Sequence, residues 1–82
     1  MFNILVLEDD ELFASTLEDF LSDEGFSVFF ASDGGVCLVL NFKKNYDLYI
    51  FDINVPKING LNLLEQLRQS DDNTPTIFLT SY

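Results

Sequence analysis

The chain has 82 residues and a formal charge of −10, from fourteen acidic against four basic residues. One small domain is the most this length holds, and such a charge repels nucleic acid and anionic membranes while favouring a basic partner or a divalent cation. The absence of histidine and the single cysteine, Cys37, exclude an internal His base, a His phosphocarrier and an internal disulfide, and they fit a reducing compartment.

Apolar residues make up 48% of the chain, with nine Phe among them. That is a high content for a chain that buries only about 60% of its unfolded surface. No basic segment precedes a long apolar core at the start, and no apolar run reaches membrane-spanning length. A cytoplasmic location and no membrane contact are expected.

Residues 3–8 read as the first strand, where Ile4-Leu5-Val6-Leu7 ends in Glu8-Asp9-Asp10-Glu11. A helix over about 10–24 follows, with Leu12, Phe13, Leu17, Phe20 and Leu21 at helical spacing. Acids crowd its first turn, where the helix dipole favours them, and Asp10 suits the N-cap. Gly25 is a natural stop. Phe26–Phe30 reads as the second strand, and Asp33-Gly34-Gly35 as a turn that caps a second helix. That helix, about 35–44, turns Val36, Val39, Leu40 and Phe42 inward and closes on Lys43 and Lys44. Cys37 reads as a small apolar residue within it.

The third strand, 47–52, carries Leu48-Tyr49-Ile50-Phe51 and ends in Asp52. Four apolar residues between charges fit a strand buried on both faces. Pro56 and Gly60 then forbid continuation, so Asp52 opens into a loop running to about Asn59. A third helix over about 60–70 places Leu61, Leu64 and Leu67 on one face. After the polar turn Ser70–Asn73, Thr76–Thr80 forms the fourth strand. Alternating strands and helices imply right-handed crossovers and a parallel sheet. Three apolar strands then end on one edge in carboxylates or hydroxyls, and ligands of open α/β sheets bind at that edge.

Three segments, ILVLEDDE, DLYIFDINVPKINGLNLL and PTIFLTS, occur in this order along the chain. Together they resemble the receiver domain of bacterial two-component response regulators. The resemblance implies a flavodoxin-like, doubly wound parallel sheet with strand order 2-1-3-4, an order carried over from the family. It implies a signalling module and not a turnover enzyme, with Asp52 accepting a phosphoryl group from a separate histidine kinase. Asp9 matches the directly coordinating acid, Glu8 its neighbour, and Asn54 the position whose backbone carbonyl completes a metal site with Asp52. Thr80 matches the hydroxyl residue that hydrogen-bonds the phosphoryl oxygens and moves on switching. Glu8 and Asp9 have a simpler reading as caps of the first helix, and Thr80 as a strand residue.

Elementary electrostatics agrees with a cation. Two unit charges about 4 Å apart repel by roughly 4 kcal/mol at an effective dielectric near 20. Three converging carboxylates therefore protonate in part or hold a cation. Oxygen ligands without His or Cys point to Mg²⁺.

The chain also departs from the family. It reads as one receiver domain over 1–82, with a native start, that is incomplete after the fourth strand. The family's last helix, strand and helix are missing, and with them its phosphoryl-pairing lysine and switch aromatic. Lys43, Lys44 and Lys57 occupy other positions, and Tyr82 is not that aromatic. Any effector domain follows Tyr82 in a longer protein. The fourth strand becomes an open edge, and the first and third strands expose one apolar face, which favours homo-oligomers. Two alternatives stand beside the phosphoacceptor: an interaction module without phosphotransfer, and a haloacid-dehalogenase-like phosphatase. The phosphatase needs an acid where Asn54 stands.

Overall fold

The structure is a computed structural model that describes residues 1–53 and 60–79, without the side chains of Val39, Phe42 and Lys43. The expected roles of Asn54, Pro56, Lys57, Thr80 and Tyr82, and the inward placement of Val39 and Phe42, lie outside the described residues.

The elements are β1 (Asn3–Leu7), α1 (Glu11–Asp23), β2 (Ser27–Ala31), α2 (Gly34–Lys43), β3 (Leu48–Asp52), α3 (Gly60–Gln69) and β4 (Thr76–Leu79). The strands form one parallel sheet in the order β2-β1-β3-β4. Strand alternation divides the core in two. Leu5, Leu7, Tyr49 and Phe51 point to one face, where Cys37 of α2 and Leu63 and Leu67 of α3 cover them. Ile4, Val6 and Ile50 point to the other face, against Leu17 and Leu21 of α1.

Asp10 caps α1 as expected. Its side chain accepts hydrogen bonds from the backbone N–H groups of Leu12 and Phe13, at 3.0 and 3.1 Å. Asp33 does the same for α2 through the N–H of Val36. Helix α1 ends at Gly25, whose φ of +92° suits glycine and lets its N–H reach the carbonyl of Ser22. Lys44 follows the last turn of α2 and sets its ammonium 4.4 Å from the centre of the Phe29 ring.

Several core assignments differ from the sequence reading. In α3, Leu63 and Leu67 are buried, Leu64 is half-buried and Leu61 is exposed. In α2, Cys37 is fully buried while Val36 is exposed. In α1, Leu12, Phe13 and Phe20 are exposed, and only Ala14, Leu17 and Leu21 turn inward. The expected bare face on the first and third strands is also corrected, because Ile4, Val6 and Ile50 are buried. Exposure on that side falls on β4, where Ile77 is 51% accessible. Among the described residues β4 pairs with β3 alone.

At the amino edge of the sheet, the Tyr49 hydroxyl donates to the carboxylate of Asp72 and accepts from the Asn41 amide. Asp72 also accepts from the N–H and hydroxyl of Thr74. Arg68 donates to the carbonyls of Asp72 and Thr74 at 2.6 and 2.9 Å. These bonds tie α2, β3 and the turn after α3 together, at the end of β3 opposite Asp52. Among the described residues no helix is long and apolar enough to cross a membrane.

Candidate functional site

The site forms where β1 and β3 end side by side. The register pairs Leu7 with Phe51, so Glu8 and Asp52 stand abreast. Glu8 keeps its place in the ladder, its N–H donating to the carbonyl of Ala31 at 3.0 Å. Asp52 is still paired as well, with Leu79 of β4. Alternation gives both carboxylates the parity of Val6 and Ile50, so they leave the sheet on the same side. The chain turns away after Glu8 toward the cap of α1, and this turn brings Asp9 to the same point. Glu8, Asp9 and Asp52 each offer a carboxylate oxygen, all within 4.8 Å of one another.

Burial differs within this cluster. Glu8 is 8% exposed and Asp52 4%, while Asp9 lies open to solvent. Burial pushes the Glu8 carboxyl above its ordinary value, opposed by the Asp10 N–H and reinforced by the charge of Asp52. Hydrogen bonding with the Asp52 and Asp9 carboxyls adds to the rise. Three carboxylates gathered at one point, two of them buried and one raised by its surroundings, are the condition that favours a cation or a shared proton.

Of the site residues expected from the sequence, Glu8, Asp9 and Asp52 come together. Asn54 and Thr80 lie outside the described residues. The reading missed a second role of Asp10, whose N–H donates to the Glu8 carboxylate at 3.1 Å. The capping pattern was visible in the sequence, but nothing there signals that Glu8 folds back onto that N–H.

A doubly wound parallel sheet with acids gathered at the carboxyl ends of two adjacent strands defines a class of α/β domains with a carboxylate site at the sheet edge. Within that class, the family model of the response regulator receiver domain matches residues 4–82, and the chain belongs to this family. It is 42% identical over 81 residues to the response regulator ArlR of Staphylococcus epidermidis, covering 99% of this chain and 36% of ArlR. It thus spans about a third of that relative's length. The response regulator TrrA of Thermotoga maritima, in complex with Mg²⁺ and beryllium fluoride, superposes with a TM-score of 0.92 and 35% identity. That match covers 100% of this chain and 71% of TrrA. TrrA in complex with the histidine kinase ThkA matches with a TM-score of 0.90, 35% identity and the same coverage.

Proposed function

We propose that this domain is the phospho-accepting switch of a two-component response regulator, with Asp52 as acceptor and Mg²⁺ as its metal. The observation that carries this reading is the meeting of Glu8, Asp9 and Asp52 at the ends of two adjacent strands. The donor set is all oxygen, which suits Mg²⁺. On an octahedral Mg²⁺ adjacent ligands stand about 3 Å apart and opposite ones about 4.2 Å, so three oxygens mutually within 4.8 Å are near enough to gather around one ion by closing on it or by reaching it through water.

In this reading Asp9 and Asp52 coordinate directly and Glu8 acts at one remove, with the carbonyl of Asn54 completing the set. When bound, the metal neutralises the carboxylate and the incoming phosphoryl oxygens together. A carboxylate oxygen of Asp52 attacks phosphorus, and the bond from phosphorus to the donor's imidazole nitrogen breaks. The electron pair leaves with that imidazole, and Asp52 becomes an acyl phosphate. Asp52 is only 4% exposed, so the fold around it keeps most bulk water from its carboxylate. Thr80 takes the phosphoryl hydrogen bond, adding a local signal that biases a switch.

The phosphodonor is a histidine kinase, as in the complex of TrrA with ThkA. Such a partner must reach over the carboxyl edge and meet the first turn of α1, where Leu12 is 79% exposed beside the acids. The haloacid-dehalogenase-like alternative loses its ground with membership of the receiver family. An interaction module without phosphotransfer is the reading that remains if the chemistry fails.

The direct test is incubation with a small-molecule phosphodonor and Mg²⁺, followed by intact-mass spectrometry. The expected result is one phosphoryl group on the native chain and none on Asp52→Asn. A folded native chain that takes up no phosphoryl group supports the interaction module instead.

A further inference from the structure

We infer that Asp10 is a positioning residue for the acid cluster: by capping α1 it fixes its own backbone N–H, which holds the Glu8 carboxylate toward Asp9 and Asp52. The inference rests on the proposed Mg²⁺ site and adds a residue that does not itself touch the ion.

Successive side chains on a strand leave opposite faces, so Glu8 and Asp9 cannot meet one point while the chain stays extended. They meet because the backbone turns away after Glu8, which still bonds the β2 carbonyl of Ala31, and enters α1 at Glu11. Asp10 is the hinge of that turn. It keeps an extended backbone, φ −84° and ψ 106°, while its carboxylate grips the N–H groups of Leu12 and Phe13. With the side chain locked, its own N–H points back and holds Glu8 Oε2 at 3.1 Å. Glu8 has three side-chain torsions to fix, and a carboxylate held by a neighbouring donor reaches a metal already oriented.

Asp33 supplies a control within the same molecule. It caps α2 through the N–H of Val36 in the same way, and among the described residues it is not one of the three acids that meet. Loss of either cap frees one helix start, and the loss at Asp10 also releases Glu8.

The experiment measures Mg²⁺ affinity by calorimetry and amide NMR on the native chain, Asp10→Ala, Asp10→Asn and Asp33→Ala. Asn caps as well as Asp but carries no charge, so it separates the cap from the charge. Asp10→Ala is expected to weaken Mg²⁺ binding about tenfold, while Asp10→Asn and Asp33→Ala stay within about twofold of the native chain. In the native chain, Glu8→Gln is expected to shift the Asp10 amide resonance. If Asp10→Ala does not fold, Asp10→Gly replaces it, since Gly is a tolerable cap without a side chain to lock the turn. Native affinity in the Ala or Gly variant overturns the inference. So does an equal loss in Asp33→Ala, or a loss in Asp10→Asn as large as that in Asp10→Ala. A native chain that binds no Mg²⁺ overturns the proposed function itself, and the inference with it.

Discussion

Glu8 and Asp52 end adjacent parallel strands at the same level, and both are nearly inaccessible to water, at 8% and 4% exposure. Two buried acids side by side are costly in a domain of this size, where total stability is on the order of 5–10 kcal/mol. Asp52→Asn relieves that repulsion and keeps the shape. The variant is expected to be more stable than the native chain without Mg²⁺, by about 1 kcal/mol. Thermal melts should show this as a rise of several degrees, and added Mg²⁺ should raise the native midpoint more than the variant's. A variant less stable than the native chain in Mg²⁺-free buffer contradicts the account.

The Tyr49–Asp72 hydrogen bond sets a pH window for stability. Burial and the bond to Asp72 push the Tyr49 hydroxyl up from 10 to about 12. A raised folded value gives stability that is full below pH 10 and is lost as pH rises through about 12. For Asp72, burial alone acts to raise the carboxyl, but the bonds from Thr74 and Tyr49 outweigh it and hold it below its ordinary 3.8. That contribution is present above pH 3.8 and is lost as pH falls through the depressed value. Tyr49→Phe should therefore cost about 1–3 kcal/mol near neutrality. Urea melts across pH should show the native chain and the variant converging at both extremes. A difference independent of pH would assign the loss to packing alone.

Self-association of these 82 residues through the outer side of β4 and the exposed Ile77, Phe13 and Phe20 is our expectation at high concentration. The charge of −10 opposes contact between copies, so association should grow with salt as screening shortens to a few ångströms near 1 M. Light scattering after size exclusion, at low and high salt, checks this. Ile77→Thr and Phe20→Ser should each reduce it. A monomer at every salt and concentration contradicts it.

Much of this architecture is visible in the residues themselves. The runs Ile4–Leu7 and Leu48–Phe51, each ending in a carboxylate, announce two buried strands and the edge where the acids meet. Helix faces were less legible. Leucines at 61, 63, 64 and 67 allow two overlapping apolar stripes, and contact with the sheet selects Leu63 and Leu67. In α1, Leu12, Phe13 and Phe20 have helical spacing but lie away from the strands. Cys37 occupies the buried place in α2 because a small side chain fits close to the sheet, a choice that composition does not reveal. The hydrogen bond from Asp10 to Glu8 depends on a side chain folding back, for which the sequence carries no pattern.

The measurement closest to the central claim is amide NMR of the native chain with Mg²⁺ and beryllofluoride, a mimic of the aspartyl phosphate, with Asp52→Asn as control. The account predicts Mg²⁺-dependent shifts at Glu8, Asp9 and Asp52 and in the first turn of α1, absent from the control. A folded native chain whose spectrum does not change on adding both would contradict it.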